Sequence, residues 1–162
     1  SYAIETIREA SNYFSLGDGL QIGVYDNHLK SKSLLSTIKS SSANLYVLAS
    51  LEKKSRNLDE LLLLNSDKRP IEGTNSNLFI FKEGKIFTPP LSEGPLLGCM
   101  RSLVQDHFAV EEVALNLKDI QTAEEIFFTN CNGIRFVKKF GQYNDYTNTI
   151  SKKVVKRLNS LI

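Results

Sequence analysis

The sequence predicts a single α/β domain of mixed character, and three observations carry that prediction. Short apolar runs of strand length recur along the chain, helix-spaced segments fall between them, and Gly, Pro, Asn and Asp clusters punctuate the boundaries. Strands that alternate with helices point to an α/β or mixed α+β architecture. At 162 residues the chain is large enough to bury a sizeable core as one domain.

Ile4, Ile7 and Ala10 are helix-spaced, but the segment is short and fits an extended lead-in equally well. Asp18-Gly19 is a turn signal, and Leu20–Asp26 (LQIGVYD) follows it as a strand. Residues 34–39 read as a second short strand ending at Lys39. Ser40, Ser41 and Ser42 then offer side-chain oxygens for a helix N-cap. Beyond them Leu45, Leu48 and Ala49, with Val47 and Leu51, have helical spacing. The helix ends in Glu52-Lys53-Lys54-Ser55-Arg56-Asn57, with cations where the helix dipole favours them.

Residues 59–64 (DELLLL) form a buried strand, closed by the turn Asn65-Ser66-Asp67. Residues 77–81 (NLFIF) make another strand, and Lys82-Glu83-Gly84-Lys85 a hairpin turn with glycine where φ turns positive. Ile86-Phe87-Thr88 returns, and Pro89-Pro90 ends the pairing because proline lacks a ladder donor. A helix is predicted over 95–108 with Met100, Leu103, Val104 and His107 on one face. A strand over 110–115, a short helix over 118–123 and a strand over 125–129 follow. Asn130-Cys131-Asn132-Gly133 is a turn, 134–140 resumes the sheet, and 147–162 forms a terminal helix with Ile150, Val154, Leu158 and Leu161 inward.

Composition excludes several classes of function. A net charge of +2 argues against a nucleic-acid partner and against an acidic membrane surface. Lys138-Lys139 and the cations of 152–157 read as solvated surface. No apolar run approaches the roughly 20 residues that cross a bilayer. Ser1 opens directly into a charged, patterned segment, so no secretory signal is expected. Cys99 and Cys131 form neither a disulfide framework nor a CxxC pair, which predicts reduced thiols in a cytoplasmic protein. His28 and His107 have no metal-ligand spacing to them, so no metal is expected.

Four features acquire meaning together. Lys39 precedes Glu72 by thirty-three positions; Gly98-Cys99-Met100 opens a helix; Asn130–Gly133 is a tight turn. Singly, each has an ordinary explanation: a solvated lysine, a Glu-Gly turn, a helix start and a hairpin. As a set they meet the demands of pyridoxal 5'-phosphate chemistry. That chemistry needs a lysine to bond the cofactor and move protons, and a carboxylate to keep the ring nitrogen protonated. It also needs backbone amides, at a helix N-terminus or a turn, for the phosphate.

In order and spacing the chain resembles the fold type IV pyridoxal phosphate enzymes, the class-IV aminotransferase family. That family includes branched-chain aminotransferase, D-amino acid aminotransferase and aminodeoxychorismate lyase. IKSSSANLYVLAS is similar to its Schiff-base lysine segment, RPIEGTNSNLFIFKEGKIFTPPLSEGPLLGCMR to its signature, and EEIFFTNCNGIRFVKKF to its second phosphate-side turn. The resemblance implies a mixed sheet partly curled into a barrel with flanking helices. It assigns Lys39 as Schiff-base lysine and proton shuttle, and pairs Glu72 with the pyridine nitrogen. Leu96 would pack on the cofactor ring, and Cys99 and Met100 would offer backbone amides to the phosphate. Cys131 and Asn132 would lie at the turn shared by phosphate and substrate carboxylate, while Asn77 would fix the turn after Glu72.

The chain departs from the family pattern in places. Met100 stands where a threonine is usual, Cys131 where a hydroxyl or small residue is usual, and Ser42 where asparagine is frequent. The turn at Asn130–Gly133 is one residue short. Family members are nearly twice as long, with a smaller N-terminal domain first. The resemblance therefore implies that residues 1–19 lead in from such a domain and that 20–162 form the cofactor-binding C-terminal domain. The expected function is a lyase converting 4-amino-4-deoxychorismate to 4-aminobenzoate and pyruvate for folate synthesis. The alternatives are an aminotransferase acting on branched-chain or D-amino acids, and a non-catalytic half-domain that retains the fold. A homodimer with a small-molecule amino acid or aminodeoxychorismate substrate is implied.

Overall fold

The computed structural model describes residues 14, 16–143 and 146–161. Among the described residues, eight strands and four α-helices follow one another. They are β1 (Leu20–Lys30), α1 (Asn44–Ser55), β2 (Glu60–Asn65), β3 (Pro70–Glu72), β4 (Asn77–Lys82) and β5 (Lys85–Thr88). After them come α2 (Cys99–His107), β6 (Val110–Glu112), α3 (Leu117–Thr122), β7 (Glu125–Asn130), β8 (Gly133–Phe140) and α4 (Thr149–Asn159).

The strands form one sheet in the order β3-β2-β1-β8-β7-β4-β5-β6, and β3 also pairs with β4. That last pairing closes six strands into a mixed barrel, with β5 and β6 continuing outward from β4. Closure leaves those six strands without a free edge. β1 runs parallel to both β2 and β8, and the other barrel pairs are antiparallel.

Runs such as LLLL and LFIF lack period-2 alternation because both faces of their strands are covered. Leu78 and Ile80 of β4 join Leu20, Ile22, Leu62, Ile126, Phe128 and Val137 in one buried cluster, fed by five barrel strands. Phe79 faces the opposite way, stacked on Phe127 with ring centroids 5.0 Å apart, and α2 and α4 cover this face through Met100, Val104, Val154 and Leu158. A third cluster seats Ala49 of α1 on Leu61, Leu63 and Ile71. The hairpin between β4 and β5 turns through Glu83 (φ 53°) and Gly84 (φ 79°).

Several boundaries differ from the sequence reading. Residues 34–39 form no strand: Leu34–Thr37 is a 3-10 turn. Ser33 Oγ accepts from the Ser36 amide and Thr37 Oγ1 donates to the Leu34 carbonyl, so local hydroxyls satisfy backbone that a strand would have paired. The serines do not cap α1. Its N-cap is Ala43, without a side-chain bond, and Ser40 Oγ accepts from the Ser42 amide instead. Val47, Leu48 and Leu51 stay exposed because the helix meets β2 only through the face of Leu45, Tyr46 and Ala49.

The helix predicted from residue 95 begins at Cys99, since the Leu97 amide is held by the Thr37 carbonyl at 2.9 Å. β6 is shorter than the predicted 110–115, and Leu161 is exposed rather than inward. The helical spacing of Ile4, Ile7 and Ala10 lies outside the described residues.

Candidate active site

A cavity of about 650 Å³ lies at one end of the barrel, lined among others by Lys30, Lys39, Ser42, Tyr46, Thr74 and Leu96. Its walls come from the end of β1, the connection into α1, the first turn of α1, the loop after β3 and the stretch before α2. Its volume falls in the range of roughly 300–1,000 Å³ common to small-molecule sites.

Glu72, the last residue of β3, is 1% exposed and sits behind this wall. Its Oε1 accepts from Lys30 Nζ at 2.5 Å and from the Tyr46 hydroxyl at 2.8 Å. Its Oε2 accepts from the Leu96 amide at 2.8 Å. Lys30 Nζ also lies 5.3 Å from the centre of the Tyr46 ring, within cation–π reach. Burial pushes the Lys30 ammonium below the usual lysine range, and the charge and hydrogen bond of Glu72 oppose that shift. Burial, and then the Glu72 charge, push the Tyr46 phenol above its ordinary value.

Two buried polar residues shape the rim. Glu60 Oε1 accepts from the Thr74 amide at 2.9 Å and from Thr74 Oγ1, and Oε2 accepts from Ser76 Oγ at 3.2 Å, which fixes the loop bearing Thr74 and Asn75. Asn77 Nδ2 donates to the Leu96 carbonyl at 2.7 Å, while a Cβ on Gly98 would come within 2.1 Å of Asn77 Oδ1. The Asn77 side chain therefore holds the stretch before α2, while its backbone pairs with Glu72 across the turn that follows Glu72. Only glycine permits this approach of Gly98.

Lys39 and Leu96 share the cavity wall, with Glu72 beneath. Lys39 is exposed, and the cation bound to Glu72 is Lys30, which sequence reasoning passed over. Cys99 and Met100 occupy the first turn of α2, outside the cavity lining; Cys99 is exposed and the Met100 side chain is buried among Val104, Phe127 and Leu158. Cys131 and Asn132 form the exposed two-residue turn between β7 and β8. That turn touches the cavity wall indirectly, through Asn130 Nδ2 and the Asn75 carbonyl at 3.3 Å.

Lys30 has no local signal in the sequence, because it ends an ordinary strand. Tyr46 could have been found: it stands three positions before Ala49, so a polar-tipped ring falls on the buried face of α1. Among the described residues, no group of three His, Cys, Asp or Glu side chains could hold a metal ion. No described helix is long and apolar enough to cross a membrane.

A mixed barrel of this kind, with helices packed outside it, is the architecture of a class of pyridoxal phosphate-dependent aminotransferases and lyases. Residues 3–140 match the sequence model described as Amino-transferase class IV, and the chain belongs to that family. It is 36% identical over 88 residues to a putative branched-chain-amino-acid aminotransferase of Methanocaldococcus jannaschii, covering 51% of this chain and 31% of the relative. It is 31% identical over 117 residues to an aminodeoxychorismate lyase of Vibrio harveyi, covering 69% of this chain and 43% of the relative. A solved structure of a putative 4-amino-4-deoxychorismate lyase from Legionella pneumophila superposes with TM-score 0.80 at 27% identity, covering 91% of this chain and 58% of that one. The chain thus matches less than half the length of either curated relative.

The donor set fits pyridoxal phosphate. The cavity offers an open lysine, an apolar residue at its wall and a buried carboxylate whose Oε2 carries a single protein donor. Among the described residues Thr129 Oγ1, buried one residue before Asn130, has no hydrogen-bond partner and is a spare polar group near the β7–β8 turn.

Proposed function

We propose that this chain is the cofactor-binding part of a pyridoxal phosphate-dependent lyase acting on 4-amino-4-deoxychorismate, releasing pyruvate and 4-aminobenzoate for folate synthesis. One observation carries the cofactor assignment: Lys39 and Leu96 line a single cavity, and Glu72 lies behind its wall, bonded to the lining residues Lys30, Tyr46 and Leu96. The match to the Vibrio harveyi lyase, the longer of the two alignments, supports the lyase reading.

When bound, the cofactor supplies an electron-accepting ring that stabilises a carbanion beside the amino group it holds. Lys39 would hold the cofactor covalently through Nζ; displaced by the substrate's amine, the freed Nζ would take a proton from the carbon that bears the substrate's amino group and return one. Glu72 would hold the proton of the ring nitrogen. Leu96 would exclude water from one side of the ring. The backbone amides of Cys99 and Met100 open α2 and, with that of Cys131, would bind the phosphate, whereas the Asn132 amide donates to Asn130 Oδ1 at 2.9 Å.

A second reading, amino transfer from branched-chain amino acids, is favoured by the 36% identity to the archaeal aminotransferase. Lys39 would then move the same proton to a different carbon. A homodimer is supported by Leu34, Leu35, Ile38, Val47 and Leu51, all exposed and next to the cavity or on α1. A cytoplasmic setting is supported by the free, exposed thiols of Cys99 and Cys131.

The full-length protein incubated with pyridoxal phosphate should gain a visible absorption band that borohydride removes, and peptide mapping should find the reduced adduct on Lys39. Lys39→Ala should abolish the band. A parent that stays colourless, or an adduct mapped to another lysine, would overturn the assignment. Release of 4-aminobenzoate without amino transfer separates the two reactions, and a monomer by sedimentation would remove the dimer.

A further inference from the structure

Lys30 contributes to this site in a way that neither the lysine–carboxylate spacing nor the family likeness assigns. It ends β1, its side chain is 8% exposed, and it lines the same cavity as Lys39. Glu72 Oε1 takes two donors, Lys30 Nζ and the Tyr46 hydroxyl, and each carboxylate oxygen accepts about two. Oε1 is therefore filled, whereas among the described residues Oε2 carries only the Leu96 amide.

We propose that Lys30 is a positioning residue: with Tyr46 it fills Glu72 Oε1 and supplies its counter-charge, leaving Oε2 as the oxygen free to meet a ring-nitrogen proton. The inference rests on the reading of the cavity as a pyridoxal phosphate site. Three elements meet on the carboxylate, which explains its fixed orientation: β1 through Lys30, α1 through Tyr46 and the stretch before α2 through Leu96. The other ionisable groups nearby are Lys39 on the cavity wall and Glu60 beside Gly73, whose carboxylate is engaged by Thr74 and Ser76. Lys30 is thus the only cation with a hydrogen bond to Glu72 among the described residues.

Removing the ammonium leaves an uncompensated negative charge beneath the cavity. Negative charge favours the protonated form of neighbouring groups. The visible band of the bound cofactor should consequently titrate at higher pH. A lysine that merely filled space where the ring belongs would have the opposite effect on binding, since its removal would open the site.

The test compares the full-length parent with Lys30→Met, Lys30→Arg and Tyr46→Phe, each loaded with pyridoxal phosphate. The readouts are the cofactor dissociation constant, the pH midpoint of the visible band, and the thermal midpoint of the cofactor-free protein. Lys30→Met should weaken cofactor binding about tenfold, the loss expected for one charge-assisted hydrogen bond. It should also raise the band's midpoint by about one pH unit. Lys30→Arg should restore both, and Tyr46→Phe should change affinity less and leave the midpoint in place. Unchanged or tighter binding in Lys30→Met, or an unmoved midpoint, would overturn the inference while leaving the cofactor assignment standing. If Lys30→Met does not fold, Lys30→Arg and Lys30→Gln decide: equal midpoints in the two would sink the charge argument. A parent without a borohydride-sensitive band would overturn both readings together.

Discussion

Two buried carboxylates at different places on the barrel show how similar burial serves different ends. Glu125, at the start of β7, is fully buried and accepts from the Ile150 amide at 2.9 Å, the Ser151 amide at 2.6 Å and Ser151 Oγ. Every one of these donors is neutral, and they belong to the first turn of α4, where the helix dipole favours an anion. Glu72, nearly as buried, accepts from an ammonium, a phenol and a loop amide beside a cavity. Neutral donors in a closed shell make Glu125 a fastener for a helix. A cation and an unfilled acceptor position make Glu72 a group that can still bind something.

That contrast can be broken by substitution, and Glu125 should give the larger stability effect. Glu125→Ala strands the first-turn amides and the Ser151 hydroxyl of α4 in the interior. It should cost about 3 kcal/mol of unfolding free energy, since each unsatisfied buried donor costs about 1–3 kcal/mol. Denaturant unfolding would measure the loss, while cofactor affinity of the folded fraction should be unchanged. A loss below about 1 kcal/mol would mean that α4 finds other caps.

Glu72→Gln should cost less in stability, about 2 kcal/mol, the worth of a hydrogen bond to a charged group, because the amide keeps a hydrogen-bonding shape and the Lys30 ammonium lines the open cavity. Unlike Glu125→Ala, it should also weaken pyridoxal phosphate binding, read by absorbance titration. Equal cofactor affinity in Glu72→Gln and parent would erase the distinction between the two carboxylates. The smallest effect belongs to Tyr46→Phe, which removes one hydrogen bond and keeps the ring over Lys30. It should cost about 1 kcal/mol. A cost equal to that of Glu72→Gln would mean that the phenol, not the ammonium, is the principal partner.

Much of the fold was legible before any coordinates. The runs at 61–64 and 77–81 became β2 and β4, and the Glu83-Gly84 hairpin and the Val154–Leu158 face of the last helix appeared where their local chemistry placed them. The connection from β1 to α1 was misread because hydroxyls of Ser33 and Thr37 compete locally with strand pairing. The start of α2 was misread because the Leu97 amide bonds a carbonyl sixty residues away in sequence. Lys39, Glu72 and Leu96 came from an ordered signature and do share one region. Cys99, Met100, Cys131 and Asn132 do not line the cavity, and any part they play must run through their backbone amides.

Local preference and linear order are properties of the sequence itself, so it determined the alternation of strands and helices, the family signature, and the lysine and carboxylate to which the proposed chemistry is assigned. The pairing of β3 with β4 that closes the barrel was decided only in three dimensions, because contacts between distant segments leave no periodic trace. The same holds for the partner of Glu72. Lys30 lies forty-two residues from it in sequence and 2.5 Å from it in space, and only the folded barrel brings that charge to that oxygen.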